Sequence, residues 1–362
     1  MAVAAVACTP NQADPADCAE PRAGVNLAGC DFTGRDFTGV DLTGADLRDV
    51  TWTGAVLIRA MLRDANLTGA DLHGHDLTGA DLTNANLSGA DLTETTLAGT
   101  VFDGTTLVGA DLRGLDLRTV SLRTAKLGKA RLERSDLGGT DLSGADLTGA
   151  RAEGATLAGA DLTGSNLAGA DLDHADLSNV VAPGASFAGI DGDHARFLDA
   201  QLAGAKFADN AVLPGVDFGD GPDADLVGAD LSGADFTRSD LAGAVLDAAV
   251  ISGTVFDNVD LTASSMRGTT IEQAGVRVGA AFRGALLIRA TVDGAVLGGG
   301  GASSLFQGAA FDGASINGSD LSGGRFDGST GSDALAANSG NDYSGATCHD
   351  GGGYDPGSHP CP

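Results

Sequence analysis

Ala145-Asp146-Leu147-Thr148-Gly149 is one copy of a five-residue pattern that organises almost the whole chain. Its apolar centre recurs at Leu27, Phe32, Phe37, Leu42 and Leu47, continues through Trp52, and holds the same spacing to Leu177 with one lapse, at Ala152. A looser stretch runs on to Val212, with Ala182 and Gly192 in apolar slots. The frame then slips to Phe218 and again to Leu226, and a clean run follows to Val276. Two shorter runs, Phe282 to Leu297 and Phe306 to Phe326, flank the glycine stretch Gly298 to Gly301. Around each centre the neighbours are fixed in type. The residue two before is small, the one before is Asp or Asn, the one after is Thr or Ser, and the one two after is often Gly.

A period of five excludes both regular structures. In a continuous strand side chains alternate faces, so successive centres would point to opposite sides. In a helix five residues advance the chain by about 500°, so the centres would spiral over the surface, and 56 glycines would each weaken it. The pattern therefore predicts a short extended segment and a bend in every repeat. The centre and the small residue point inward, and the residues flanking the centre point outward.

The repeated A(D/N)LxG unit, as in Ala45-Asp46-Leu47, resembles the pentapeptide-repeat proteins. That resemblance implies an all-β fold, a right-handed quadrilateral β-helix in which four repeats make a coil of twenty residues. Roughly 59 slots then give about 15 coils, and stacking at ~4.8 Å gives a rod ~70 Å long. The expected organisation is a cap or tail over 1–22, a long solenoid run over 23–212 and a frame-breaking acidic loop over 213–225. A second run over 226–329 has breaks near 277–281 and 298–305, and a disordered Gly/Ser/Asp tail spans 330–362. Gyrase-protecting members of the family dimerise through a C-terminal helical segment, and this tail shows no apolar helical stripe, so dimerisation is not expected.

No stretch approaches the ~18 apolar residues of a membrane span, and a soluble chain is expected. Met1 to Ala7 is apolar but has no basic n-region and is too short for a secretory signal. Of the five cysteines, Cys30 takes a small inward slot that suits a free thiol. The pairs Cys8 with Cys18 and Cys348 with Cys361 are placed to close loops at the two ends, which leans toward a secreted or cell-envelope location.

The formal net charge is −28. Residues 23–329 carry −22 of it, which on the expected rod is about one net charge per ~3 Å, against ~1.7 Å for duplex DNA. Nucleic acid is disfavoured as a partner, and a protein with a basic surface is favoured, with acids such as Asp71, Asp76 and Asp81 as the contact surface. The sharper form of this reading is a DNA mimic that occupies the DNA-binding surface of a topoisomerase, as the family's gyrase inhibitors do, in the cytoplasm. The plainer form is an interaction or scaffold module, or a secreted structural rod. Arg113, Arg118, Arg123, Lys126, Lys129, Arg131 and Arg134 interrupt the acidity as a basic belt, read as local charge balance or as an anion or partner site.

No nucleophile elbow, phosphate-cradling loop or Cys-x-x-Cys pair is present, and a filled solenoid offers no cleft, so no enzyme activity and no organic cofactor are expected. The frame break Gly219-Asp220-Gly221-Pro222-Asp223 is expected to bulge as a loop. One echo suits a divalent metal. Asp171-Leu172-Asp173-His174 is followed twenty positions later by Asp191-Gly192-Asp193-His194, so a twenty-residue coil stacks them, and Asp171, Asp173, His174, Asp191, Asp193 and His194 form an oxygen and imidazole donor set.

Overall fold

The computed structural model describes residues 13–208, 210–218, 224–272, 291–293 and 315–317. The chain divides into two compact units at Ala155/Thr156.

In the first unit the coil is twenty residues long. Parallel bridges pair Asn26 with Asp46, Asp31 with Thr51, Asp36 with Val56 and Asp41 with Met61, and the series repeats up to Arg131 with Arg151. Each repeat makes the same three bonds between coils. The Leu27 amide donates to Asp46 O (2.7 Å), the Asp46 amide to Val25 O (3.0 Å), and the Gly29 amide to Arg48 O (2.9 Å). Within the repeat the Cys30 amide closes a turn on Leu27 O (3.1 Å). The third residue of such a turn needs positive φ, as at Gly34 (φ 67°), which is why Gly stands two after the centre. Bending after each bridge keeps the ladder to single residues, so β-strands proper are rare.

The outward residues are fixed by a second device. Asp31 Oδ1 accepts from the Thr33 amide (3.0 Å) and the Thr33 hydroxyl (2.6 Å), an Asx turn that satisfies an amide the bend leaves free. Asp or Asn before the centre and Thr or Ser after it are thus one motif. Inside, the centres from Leu27 to Leu157 are at most 4% exposed, and the small slots Ala60, Ala80 and Ala85 are closed to solvent. Burying each leucine contributes about 1.5–3 kcal/mol. Where Thr takes the small slot its hydroxyl donates to a centre carbonyl, of the preceding coil for Thr100 on Leu77 O (2.9 Å) and Thr105 on Leu82 O (2.7 Å), and of the preceding repeat for Thr95 on Leu92 O (2.6 Å).

The first coil is covered by helix α1, Pro15–Ala19. It is tied down by a Cys18–Cys30 disulfide, by the Ala13 amide on Ala28 O (3.0 Å), and by Arg35, whose guanidinium donates to Cys18 O (2.6 Å) and Ala19 O (3.1 Å). The Arg35 stem crosses Phe32 and Phe37 with its guanidinium carbon 5.4 and 5.7 Å from their ring centres. This corrects two sequence expectations. Cys30 is not a free thiol, and Cys18 pairs with it rather than with Cys8, because the inward slot of Cys30 lies under the helix. Cys8, Cys348 and Cys361 lie outside the described residues, as does the expected tail. With its cysteines twelve positions apart, the crosslink is expected to contribute about 3 kcal/mol to the N-terminal coils. Adding reductant should lower the first melting transition of the native protein and leave a Cys18→Ser, Cys30→Ser variant unmoved.

The second unit starts with the same twenty-residue bridges, Thr156 to Asp176 and Asp161 to Val181. The offset then grows to 21 at Asp191 to Val212 and to 24 at Gln201 to Asp225, and returns to 20 at Asp225 to Val245. The single inserted residue falls in the bend after Phe207, so the centre expected at Val212 is Leu213: Leu213 is 0% exposed and Val212 is 43% exposed. Phe218 is also buried, so the coil continues through residues that the sequence assigned to a loop. The expected bulge at 219–223 lies outside the described residues. Beyond it, β1 (Val250–Ser252), β2 (Thr270–Glu272), β3 (Thr291–Asp293) and β4 (Ser315–Asn317) form a parallel four-stranded sheet in that order. Its register aligns Ile251, Ile271, Val292 and Ile316.

Among the leucines of this unit's core runs a set of buried aromatic rings. Phe187 stacks on Phe207 (4.9 Å between centroids), Phe197 on Phe218 (5.4 Å) and Phe236 on Phe256 (6.0 Å). Gly192 holds a centre slot because its neighbour fills the space: a Cβ there would lie 3.0 Å from Leu213 Cδ2.

Candidate functional site

The surface of each coil is a grid. Residues twenty apart stand in columns, and residues five apart stand on successive faces. Asp71, Asp76 and Asp81 therefore do not form one patch, since they precede centres on three faces. Asp71 instead bridges to Asp91, and Asp91 to Asp111, in a single column. Each carboxylate is held by its turn: Asp71 Oδ1 accepts from the His73 amide (3.2 Å), Asp76 Oδ1 from the Thr78 amide (2.9 Å), and Asp81 Oδ1 from the Thr83 amide (3.1 Å). Asp81 also pairs with Arg63 at 2.5 Å.

These bonds keep the acids charged. The Thr33, Thr38 and Thr43 hydroxyls, and then the amides of the same residues, hold the carboxyls of Asp31, Asp36 and Asp41 below the usual carboxylate range. Asp116 is lowered to about 2, first by its hydrogen bond to Arg118. Asn fills the same slot at Asn26, Asn66, Asn86 and Asn166, where its Oδ1 accepts the same amide bond at 3.0 to 3.2 Å. Where the slot caps the amide, the oxygen does so with or without the charge.

The basic belt is largely neutralised. Arg113 forks onto Asp111 (2.8 and 2.7 Å) and Arg118 onto Asp116 (2.9 and 2.7 Å). Arg118 also reaches Asp136 (3.3 Å), Arg123 reaches Asp141 (3.6 Å), and Arg131 shares Asp111 (3.0 Å). Arg113, Arg118 and Arg123 lie on three successive faces.

The six residues of the internal echo are brought together. Asp171 bridges to Asp191, and the His174 and His194 rings stack at 5.3 Å. His194 Nδ1 lies 2.6 Å from Asp193 Oδ1, and His174 Nδ1 lies 3.9 Å from Asp173 Oδ2. Among the described residues no group of three or more His, Cys, Asp or Glu is arranged to hold a metal ion. The site is electrostatically costly at Asp173, whose Oδ1 is buried without a hydrogen-bond partner. Burial, then the charges of Asp191 and Asp193, push its carboxyl above the usual range. A raised carboxyl favours the native state while it is protonated and loses that advantage as pH rises from the unfolded value through the folded one. Asp173→Asn is therefore expected to raise the melting temperature at pH 7, with the gain shrinking toward pH 3.5. A loss at pH 7 would show that the charge is compensated.

The residues that sequence reasoning missed are Glu133 and Arg151. With Arg113, Gly114, Arg131, Arg134 and Glu153 they line a groove of about 430 Å³. Arg151 sits where the repeat has Asp or Asn, and that departure was the available signal.

Twenty-residue parallel coils with filled interiors and patterned outer columns define a β-solenoid repeat protein, a general interaction module. The pentapeptide-repeat signature matches in eight copies, over 23–51, 53–84, 85–123, 125–164, 140–179, 170–209, 224–262 and 239–274. The chain belongs to the pentapeptide-repeat family. Among solved structures it is similar to HetL, a pentapeptide repeat protein involved in heterocyst differentiation regulation from the cyanobacterium Nostoc. The two share 27% identity over 73% of this chain and 93% of that one, with a TM-score of 0.18. It is also similar to Rfr23 from the cyanobacterium Cyanothece (28% identity, 34% and 82% covered, TM-score 0.23). A third likeness is to QnrB1, a plasmid-mediated fluoroquinolone resistance protein (21% identity, 58% and 86% covered, TM-score 0.18). No curated protein matches the chain.

Proposed function

We propose that the protein is a non-catalytic binding module whose acidic columns engage the basic surface of a protein partner. One observation carries this reading. Asn serves the outward turn slot as well as Asp does, yet Asp far outnumbers Asn there among the described residues, so turn chemistry alone does not account for the charge. Fixed turns also hold the carboxylates in place before binding, which limits the ordering lost on association. The DNA-binding surface of a topoisomerase is a partner of fitting charge, and nucleic acid itself would be repelled. Among the described residues no helix is long and apolar enough to cross a membrane. Purified DNA gyrase tests the partner: binding should weaken steeply between low and high salt. Absence of binding at low salt would remove gyrase from consideration.

A second reading, a structural rod outside the cytoplasm, is favoured by the Cys18–Cys30 disulfide, since such bonds persist in oxidising compartments. Alkylation of thiols in intact cells decides between them. Free Cys18 and Cys30 would count against the rod.

A further inference from the structure

Three columns of three residues form the groove on the first unit. Asp111, Arg131 and Arg151 precede their centres and pair along the ladder. Arg113, Glu133 and Glu153 follow the same centres, and Gly114, Arg134 and Gly154 occupy the bends. Arg134 is the only side chain in its column. The bare backbones of Gly114 and Gly154 leave it room, and its Cγ lies 3.8 Å from where a Gly154 Cβ would stand.

The sequence departs from its own repeat to build this. Arg131 and Arg151 replace the Asp or Asn that caps the turn, and Arg134 takes a left-handed conformation (φ 59°) that Gly adopts without strain. Two of the four arginines share each inner carboxylate. Arg113 and Arg131 share Asp111, and Arg151 lies 3.3 Å from Glu133 with Arg131 Nε at 3.8 Å. Arg134 makes no ion pair among the described residues, and the exposed Glu153 also lines the groove. Two buried atoms in the wall, Arg131 Nε and Glu133 Oε2, have no hydrogen-bond partner among the described residues. One is a donor and the other an acceptor. Buried groups of this kind are normally satisfied.

We propose that this groove is an oxyanion site that takes a phosphate group. With the Arg131 and Glu133 side chains turned toward the groove, hydrogen phosphate supplies both halves of what they lack: acceptor oxygens for the guanidiniums of Arg131, Arg134 and Arg151, and one P–O–H donor for Glu133 Oε2. Arginine is suited to this geometry, because its planar fork donates two parallel bonds to phosphate. A carboxylate dianion has the acceptors but no donor, so it fits less well. The site continues the column of Asp71, Asp91 and Asp111, and phosphate binding there does not require the partner proposed for the acidic surface.

Calorimetric titration of the whole protein with inorganic phosphate and, separately, with malonate, at constant ionic strength, tests the assignment. Phosphate should bind saturably at one site and at least about tenfold more tightly than malonate. Arg134→Gly and Arg151→Asn install residues that the repeat itself uses, so the coil is kept, and each should weaken phosphate by about tenfold. Arg59→Gly, at another left-handed arginine, should change nothing. Equal affinity for malonate would overturn the phosphate assignment. No saturable binding, or binding unchanged in the Arg134→Gly, Arg151→Asn double variant, would overturn the site.

Discussion

Leu82→Asp is expected to destabilise the first unit by about 5 kcal/mol or more. Leu82 is 0% exposed, its amide donates to Val101 O (2.9 Å), and its own carbonyl already accepts the Thr105 hydroxyl. A carboxylate there meets only the apolar column. It forfeits the packing of a buried leucine, about 2–5 kcal/mol, and adds the cost of an unpaired buried charge. The neighbouring outward change Thr83→Ser keeps the hydroxyl bond to Asp81 and should stay within about 0.5 kcal/mol. Urea unfolding followed by circular dichroism separates the two. Similar midpoints for both variants would show that the inward and outward assignment fails.

In the second unit Phe207→Ala is expected to cost about 3–5 kcal/mol. The ring is closed to solvent and packs against Phe187 (4.9 Å), Phe197 (6.0 Å) and Phe236 (6.5 Å), so its removal opens a cavity shared by three rings. Phe207→Leu, the residue most other slots use, should cost less than about 1.5 kcal/mol if the rings shift to meet it. A loss below about 1 kcal/mol for the alanine variant would mean that the column collapses freely and is not the stabilising core.

The architecture was legible because each residue type in the repeat answers one physical demand. Leu fills the column, Ala lets the coil close, Asp or Asn caps the free amide, and Gly takes the left-handed bend. Where those demands conflict, reading from sequence slipped. Val212 kept the five-residue count, but Ala211-Val212-Leu213-Pro214-Gly215 has the shape of the repeat and puts Leu213 inside. Cys30 read as a packed thiol because its slot is inward, and nothing in the spacing shows that helix α1 brings Cys18 over it. The site was less legible. Charges five apart look adjacent in sequence but belong to different faces, so Asp71, Asp76 and Asp81 separate, while Arg113, Arg131 and Arg151 converge. The carboxylates that neutralise the basic belt, Asp136 and Asp141, come from the next coil and become visible only once the twenty-residue register is applied.

On the binding-module proposal the outward carboxylates are kept for their charge and not for their turns. Asp31, Asp71 and Asp91 occupy one face, and each accepts the amide of the residue two ahead. Replacing all three with Asn keeps every acceptor and removes three charges from that face. Melting temperature and gyrase affinity at low salt, measured on the same preparation, give the answer. An unchanged melting temperature is expected, with binding weakened about tenfold or more. A large fall in melting temperature with affinity intact would contradict it, and would assign the acids to the fold alone.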